Sequence, residues 1–513
     1  MKKILKNWNY KEHMVFLIVL VCMAVYYAGQ MFLNKPWYDE LYTYYSFICR
    51  GPIYAAIHWP VPNNHVFYSV LSAFLDYFGN PYIGLRGISY LASLCNMVLL
   101  YKIATKFMNR YLSVVSVLIY ISTYLVNSLS IQGRGYAFSS TCYLTAVLCL
   151  YFICCETEKK RYYIIYAISL TAGLYTLISS TYWVISICFA GGLFLLIRKD
   201  YKKMFRLIFA SLCAAAMTFF LYTLIWLAIG SNLLSKDATS IYYGVYQVTI
   251  ILKDPFKAFM TGVNYMLSTP YIQSIERTRV IQELFSYLSS LFNLYFNGIG
   301  KGITVFCGLF LIVGFVYLIR NFKKKSKNLF LLLYLEVTVI MVPVMLIIQS
   351  VQPYKRVFSF FAAPFSLLIA YCLFLAEKLC VAEKLQTKIN AVIIVFMITF
   401  SAVFLLSPSY RAPLAERENR IQEMFSGEDE ITSIYYTDDF QKYVLKFYFD
   451  CEPQEVPLEQ AEYVLVATDI LNPEYTQAVW PVFLNHESFD YDYITSNFSK
   501  QKESDSYILY KRK

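Results

Sequence analysis

NKPWYDELYTYYSFICRGPIYAAIHWPVPNNHVFYSVLSAFLDYFGNPYIGLRGISY, residues 34–90, follows an apolar run at 14–33 and leads into another at 87–107. How its middle is read decides the fold. Val66 to Phe78 is apolar, but it is only 13 residues long and contains Asp76, short of the roughly 17–25 residues of a spanning helix. We therefore expect it to lie flat on the outer surface as an interfacial helix.

Working outward, the spanning runs number eleven, at about 14–33, 87–107, 111–128, 137–155, 162–180, 182–198, 205–229, 302–320, 329–349, 357–376 and 389–407. The first is expected to be an uncleaved signal anchor, because no small-residue cleavage site follows it. With the N-terminus inside, the inner segments carry 23 Lys and Arg in 56 positions, and the outer segments 12 in 140. That asymmetry is the positive-inside pattern. Counting Val66–Phe78 as a span would invert every later loop and put RKDYKK and NFKKKSK outside. The sequence thus predicts a multi-pass cell-membrane protein with a cytoplasmic N-terminus and long outer loops at 34–86 and 230–301.

Composition agrees. The 513 residues are 58% hydrophobic and 15% charged, against about 25% charged in soluble domains, which excludes a soluble enzyme. Residues 1–407 hold 35 basic and 14 acidic residues, while 408–513 hold 10 and 20. The expected organisation is a polytopic α-helical membrane domain, 1–407, followed by a small soluble extracytoplasmic α/β domain, 408–513. The overall charge of +11 is no argument for nucleic acid, because the basic residues flank apolar runs where topology explains them. In the tail, ITSIYY, YVLKFYF, YVLVAT and YILYK read as strands, and His486 is the only histidine there. Cys49 and Cys451 alone of 13 cysteines lie in polar segments, so no disulfide framework is expected.

Asp39 and Glu40 stand just beyond the first span among Trp37, Tyr38, Tyr42 and Tyr44. Neighbours on a helix point about 100° apart, so one carboxylate is expected to face a cavity and the other to cap or bind a neighbour. A solvated acidic pair at a membrane boundary is the plain alternative. Arg86, Arg134, Lys355 and Arg356 fall at outer helix ends, where snorkelling toward headgroups is the alternative to a binding role. His65 is open to three roles: helix entry, substrate hydrogen bonding or metal ligation. The spacing of the four histidines gives a metal no support, so the cofactor stays undefined. Glu336, inside the ninth run, is expected to have a structural partner.

The DE pair after the first span, the NNHxxY segment of Asn63, Asn64, His65 and Tyr68, and the FG-x5-LR segment ending at Arg86 resemble the first outer loop of GT-C fold, glycosyltransferase family 39-like enzymes. That group includes protein O-mannosyltransferases and lipid A aminoarabinose transferases. The similarity continues through QGRGYAF, 132–138, and QPYKRVFSFFAAP, 352–364. This chain departs from many relatives in having Asn63-Asn64-His65 for His-Pro-Pro. It also lacks an acidic residue shortly after Arg134, which puts a two-carboxylate metal site in doubt.

The resemblance implies a glycosyltransferase of EC class 2.4, working in cell-envelope glycosylation. It would move a sugar from a polyprenyl-phosphate carrier in the membrane lipids to an extracytoplasmic glycan, lipid or protein acceptor, usually with inversion. Asp39, then Glu40, would be the general base. Arg134, Arg356, Lys355 and Arg86 would bind the lipid phosphate, and Tyr38, Asn63, Asn64 and His65 the substrates. The competing reading is a carrier or flippase for a lipid-linked sugar. Such a protein should show internal repeats and little mass outside the membrane, neither of which this sequence has.

Overall fold

The computed structural model describes residues 13–59, 63–156, 159–234, 247–268, 272, 274–321, 326–407, 416–428, 431–449, 454–471 and 489–513. Cys451 and His486 lie outside them. The chain divides into two compact units, Met1–Met31 with Arg50–Arg411 and Phe32–Cys49 with Ala412–Lys513. The first outer loop is thus split between the two.

The first unit is a multi-pass membrane protein. Among the described residues nine helices are long and apolar enough to cross a bilayer, from Met14–Leu33 to Glu383–Leu406. Arg110–Ser122 and Tyr124–Ile131 form a further span broken by a 71° bend. Lys160–Thr176, 17 residues, occupies the place of the run expected at 162–180. With the bent pair as one span the described residues give up to ten, so the expected count of eleven holds only approximately. Val66–Asp76 is a short apolar helix, too short to span.

Local chemistry sets the helix starts. Asn80 accepts from the amides of Tyr82 at 3.0 Å and Ile83 at 3.3 Å, with Pro81 in the first turn, satisfying donors that a helix start leaves orphaned. At the bend, the amides of Tyr124 and Leu125 donate to the carbonyls of Tyr295 and Leu294 at 3.0 and 2.9 Å. Non-helical backbone at membrane depth persists where protein supplies such partners. Tyr201–Gly230, Gly300–Asn321 and Glu383–Leu406 keep most of their side chains on the outside, whereas Lys355–Cys380 is largely enclosed. Glu336 is buried against Gly314 of the preceding span, and among the described residues its Oε1 has no hydrogen-bond partner, so the expected structural partner is not found.

The second unit is built on a five-stranded mixed sheet, order β2-β1-β3-β5-β4. The strands are β1 Ser433–Tyr436, β2 Gln454–Glu455, β3 Tyr463–Ala467, β4 Phe498–Glu503 and β5 Tyr507–Arg512. β1 runs parallel to β2 and β3, and β5 antiparallel to β3 and β4. Successive strand residues face opposite sides: Ile434, Tyr436, Leu465 and Leu509 join one core, and Tyr435, Val464, Val466 and Ile508 the other.

One expectation fails here. YVLKFYF is not a strand but most of the helix Asp439–Tyr448 and its C-terminal cap, Phe449. Asp438 caps that helix, accepting from the Gln441 amide at 3.2 Å, while the Gln441 side chain accepts from the Thr437 amide at 3.4 Å. This reciprocal cap fixes the helical period, so that Gln441, Val444 and Leu445 are buried. The short helix Tyr38–Ser46 of the first loop belongs to the same core through Leu41.

Candidate active site

In the membrane unit, three sequence motifs converge on His65. It precedes the helix Val66–Asp76 and is 3% exposed. Its Nδ1 accepts from the backbone amide of Gly135 at 2.8 Å, and its Nε2 lies 3.2 Å from Arg134 Nη2. An amide N–H cannot accept, so Nδ1 carries the lone pair and neutral imidazole holds its proton on Nε2. Arg134 Nη2 is likewise a donor only. Two N–H groups therefore stand side by side, an arrangement suited to an anionic oxygen. Burial first, then the guanidiniums of Arg134 and Arg356, hold the His65 pKa well below the ordinary value. The ring stays neutral between two cations.

The motif glycines make this packing geometrically available. A Cβ on Gly135 would come within 2.6 Å of Thr176 Cγ2 and 3.1 Å of His65 Cβ. Arg134 is 2% exposed, and its Nη1 reaches the Asn63 carbonyl at 3.4 Å. Ser89 Oγ lies 3.1 Å from both Arg134 O and Tyr68 Oη, its single proton available to either acceptor.

Arg356, from the second short loop, also lines a cavity of about 900 Å³. Its walls include Lys355 and Gln352 from that loop, and Glu283 and Tyr287 from the helix Arg277–Asn293. The Tyr287 hydroxyl donates to Pro353 O at 2.5 Å, and Gln352 Nε2 to Glu283 Oε2 at 3.1 Å. The last helix of the long second loop thus forms a cavity wall. Glu283 itself was invisible in the sequence, because nothing local distinguishes it from a solvated helix-face acid.

Other candidates have internal assignments. Arg86, 1% exposed, donates through Nη1 to Met31 O at 2.7 Å and lies 5.7 Å from the Tyr82 ring centroid. It pins the end of the first span. Asn64 Nδ2 donates to the carbonyls of Ala55 at 2.9 Å and His58 at 2.6 Å, bracing the loop that delivers His65.

Asp39, Glu40 and Tyr38 belong to the second unit. Glu40 is buried, and its Oε2 accepts from the Trp37 amide at 3.3 Å, closing the start of its own helix. Asp39, one position earlier, is half-buried. Tyr38 is buried against Phe440, with ring centroids 4.2 Å apart. Sequence reasoning missed two buried acids in this unit, Glu418 and Asp438. Burial pushes both up to about 7. The D-x-x-Q spacing of Asp438 and Gln441 was a readable signal for one; Glu418 had none. Among the described residues no group of three His, Cys, Asp or Glu side chains is placed to hold a metal ion.

Comparison with known proteins bears on the architecture. Residues 65–226 match the family described as dolichyl-phosphate-mannose-protein mannosyltransferase. The whole chain is similar in fold to ArnT from Cupriavidus metallidurans bound to undecaprenyl phosphate, with a TM-score of 0.58, 9% identity and 98% of each chain covered. The apo state of that protein gives 0.50 at 8% identity, covering 97% of this chain and 98% of the other. The Archaeoglobus fulgidus oligosaccharyltransferase in complex with Zn and sulfate gives 0.51 at 13% identity, covering 90% of this chain and 69% of the other. No curated protein matches in sequence. The fold is that of the GT-C glycosyltransferases.

Proposed function

We propose that this chain of the GT-C glycosyltransferase fold transfers a sugar from a polyprenyl-phosphate carrier to an acceptor on the extracytoplasmic side, with inversion at the sugar carbon. The observation that carries the reading is the convergence of Arg134, Arg356 and neutral His65, next to the cavity bounded by Arg356 and Lys355. Lipid carriers bound by proteins of this fold add support: the ArnT match holds undecaprenyl phosphate.

In this reading the acceptor hydroxyl attacks the sugar carbon and gives its proton to the Asp39 carboxylate, a general-base role. The carbon–oxygen bond to the carrier phosphate breaks, and the electron pair leaves on the phosphate oxygen. That oxygen gains negative charge, which fixed donors stabilise without reorganising. Arg134 and the His65 Nε2–H supply two donors, and Arg356 and Lys355 add positive charge. Asn63 holds Arg134 through its carbonyl, and Glu40 caps the helix that carries Asp39. The N-terminus lies in the cytoplasm, and both long loops and the tail lie outside.

Purified protein given a polyprenyl-phosphate sugar should release polyprenyl phosphate only when an acceptor is present. Transport of intact donor across sealed vesicles, with no release of polyprenyl phosphate, would instead establish the carrier reading.

A further inference from the structure

The tail, in which His486 is the only histidine, encloses the first-loop helix that carries the acidic pair. Helix Tyr38–Ser46 is only nine residues long, far below the roughly 12–15 at which an isolated helix becomes marginal in water. Its shape and direction must come from what it packs on. The Tyr38 amide, one of the donors orphaned at a helix start, donates to Glu418 Oε1 at 2.6 Å. Glu418 is 3% exposed on the helix Glu416–Met424. A buried carboxylate at a helix start also complements the positive end of its dipole.

The rest of the interface is aromatic. Tyr443 of the tail stacks on Tyr45 at 5.7 Å and meets Tyr42 edge-on at 5.9 Å. The Lys446 ammonium sits 5.0 Å from the Tyr45 ring centroid. The Tyr448 hydroxyl donates to Pro36 O at 3.4 Å, and Leu41 is fully buried in the tail core. These contacts hold the start, the middle and the approach of a helix on which Asp39 is half-buried.

We infer that the tail domain is the mount of the base-bearing helix, with Glu418 as a positioning residue that fixes Asp39 through the Tyr38 amide. The inference rests on the proposed role of Asp39. It gives the 20 acids of the tail one member with a definite task, and it gives the tail domain a part in the transfer reaction.

The test uses the full-length protein and compares Glu418→Gln with Glu418→Leu. The Gln amide oxygen still accepts the Tyr38 N–H, so transfer should stay near normal. Leu cannot accept, and kcat should fall about 10- to 100-fold, the scale of loss from a misplaced reacting group. The donor KM should not move. In an Asp39→Asn background, Glu418→Leu should add nothing, because a residue acting through Asp39 has nothing left to position. If Glu418→Leu fails to fold, Tyr443→Leu, at a partly buried position, should give the same kcat loss and the same silence on Asp39→Asn. Normal kcat in a folded Glu418→Leu, or an equal loss with and without Asp39→Asn, would overturn the positioning role while leaving Asp39 as the base. Full activity of Asp39→Asn alone would instead remove the base reading and this inference with it.

Discussion

His65 in the membrane unit and Asp438 in the tail unit are both enclosed ionisable side chains, and their surroundings work in opposite directions. His65 is pressed by burial and two guanidiniums toward the uncharged imidazole. Asp438 accepts from the Tyr507 hydroxyl at 3.1 Å and from the Gln441 amide, yet burial still raises it to about 7. One unit arranges donors around a group that cannot take a further positive charge, which suits an incoming anion. The other buries acids as structural pins and leaves Asp39 half-buried. On the proposed reading, the phosphate-binding donors belong to the first unit and the proton acceptor to the second.

The largest expected effect tests the proton side. Asp39→Asn should lower turnover by about 10² to 10⁴, the range for loss of a general base, with the protein still folded. Glu40→Gln keeps an oxygen for the Trp37 amide and should change turnover little. A reversal of the two results would move the base by one residue.

Next comes the phosphate side. Arg134→Ala should weaken donor binding by about 10- to 100-fold, from a lost charge-assisted hydrogen bond of about 1.5–3 kcal/mol. Arg134→Lys should restore little, because an ammonium cannot reproduce the planar fork. Free substitution by Lys in donor-saturation curves would return Arg134 to a snorkelling role.

A smaller effect is expected at Gly135. An added methyl meets Thr176 and His65, and overpacking of this kind costs about 1–3 kcal/mol. Thermal unfolding of Gly135→Ala should show the loss, together with a raised donor KM if His65 is displaced.

The smallest effect separates the units by pH. His65 has a folded pKa below its unfolded value of about 6.5, so its contribution is complete above that pH and is lost as pH falls toward the folded value. Asp438 is raised from 3.8 and Glu418 from 4.5, both to about 7, with Arg417 opposing the shift in each case and Glu40 adding to it for Glu418. A raised acid binds more protons when folded, so the tail should lose stability as pH rises from about 4 to 7. Hydrogen exchange should therefore show strands β3 and β5 better protected at pH 5 than at pH 8. Asp438→Asn should flatten that difference.

Much of this arrangement was legible in the sequence. Apolar run lengths pointed to the multi-pass architecture, because spanning length is set by bilayer thickness. QGRGYAF and NNHxxY named His65, Arg134 and Asn63, which do come together. Helix geometry predicts that one of Asp39 and Glu40 caps or binds a neighbour, and Glu40 does so at the Trp37 amide. YVLKFYF was misread because its apolar run suits either period and only the Asp438 cap decides. Glu418 and Glu283 escaped because their roles depend on partners 380 residues away at Tyr38 and 69 away at Gln352. No local pattern encodes such pairings.

The central claim is that cations of the membrane unit bind the donor phosphate while a tail-held carboxylate moves the proton. Single-turnover kinetics with a polyprenyl-phosphate sugar, measuring donor affinity and transfer rate separately, tests it most directly. Asp39→Asn should bind donor normally but transfer about 10² to 10⁴ more slowly, and Arg134→Ala should bind donor weakly. Normal transfer by Asp39→Asn, or unaltered donor affinity and rate in Arg134→Ala, would contradict it.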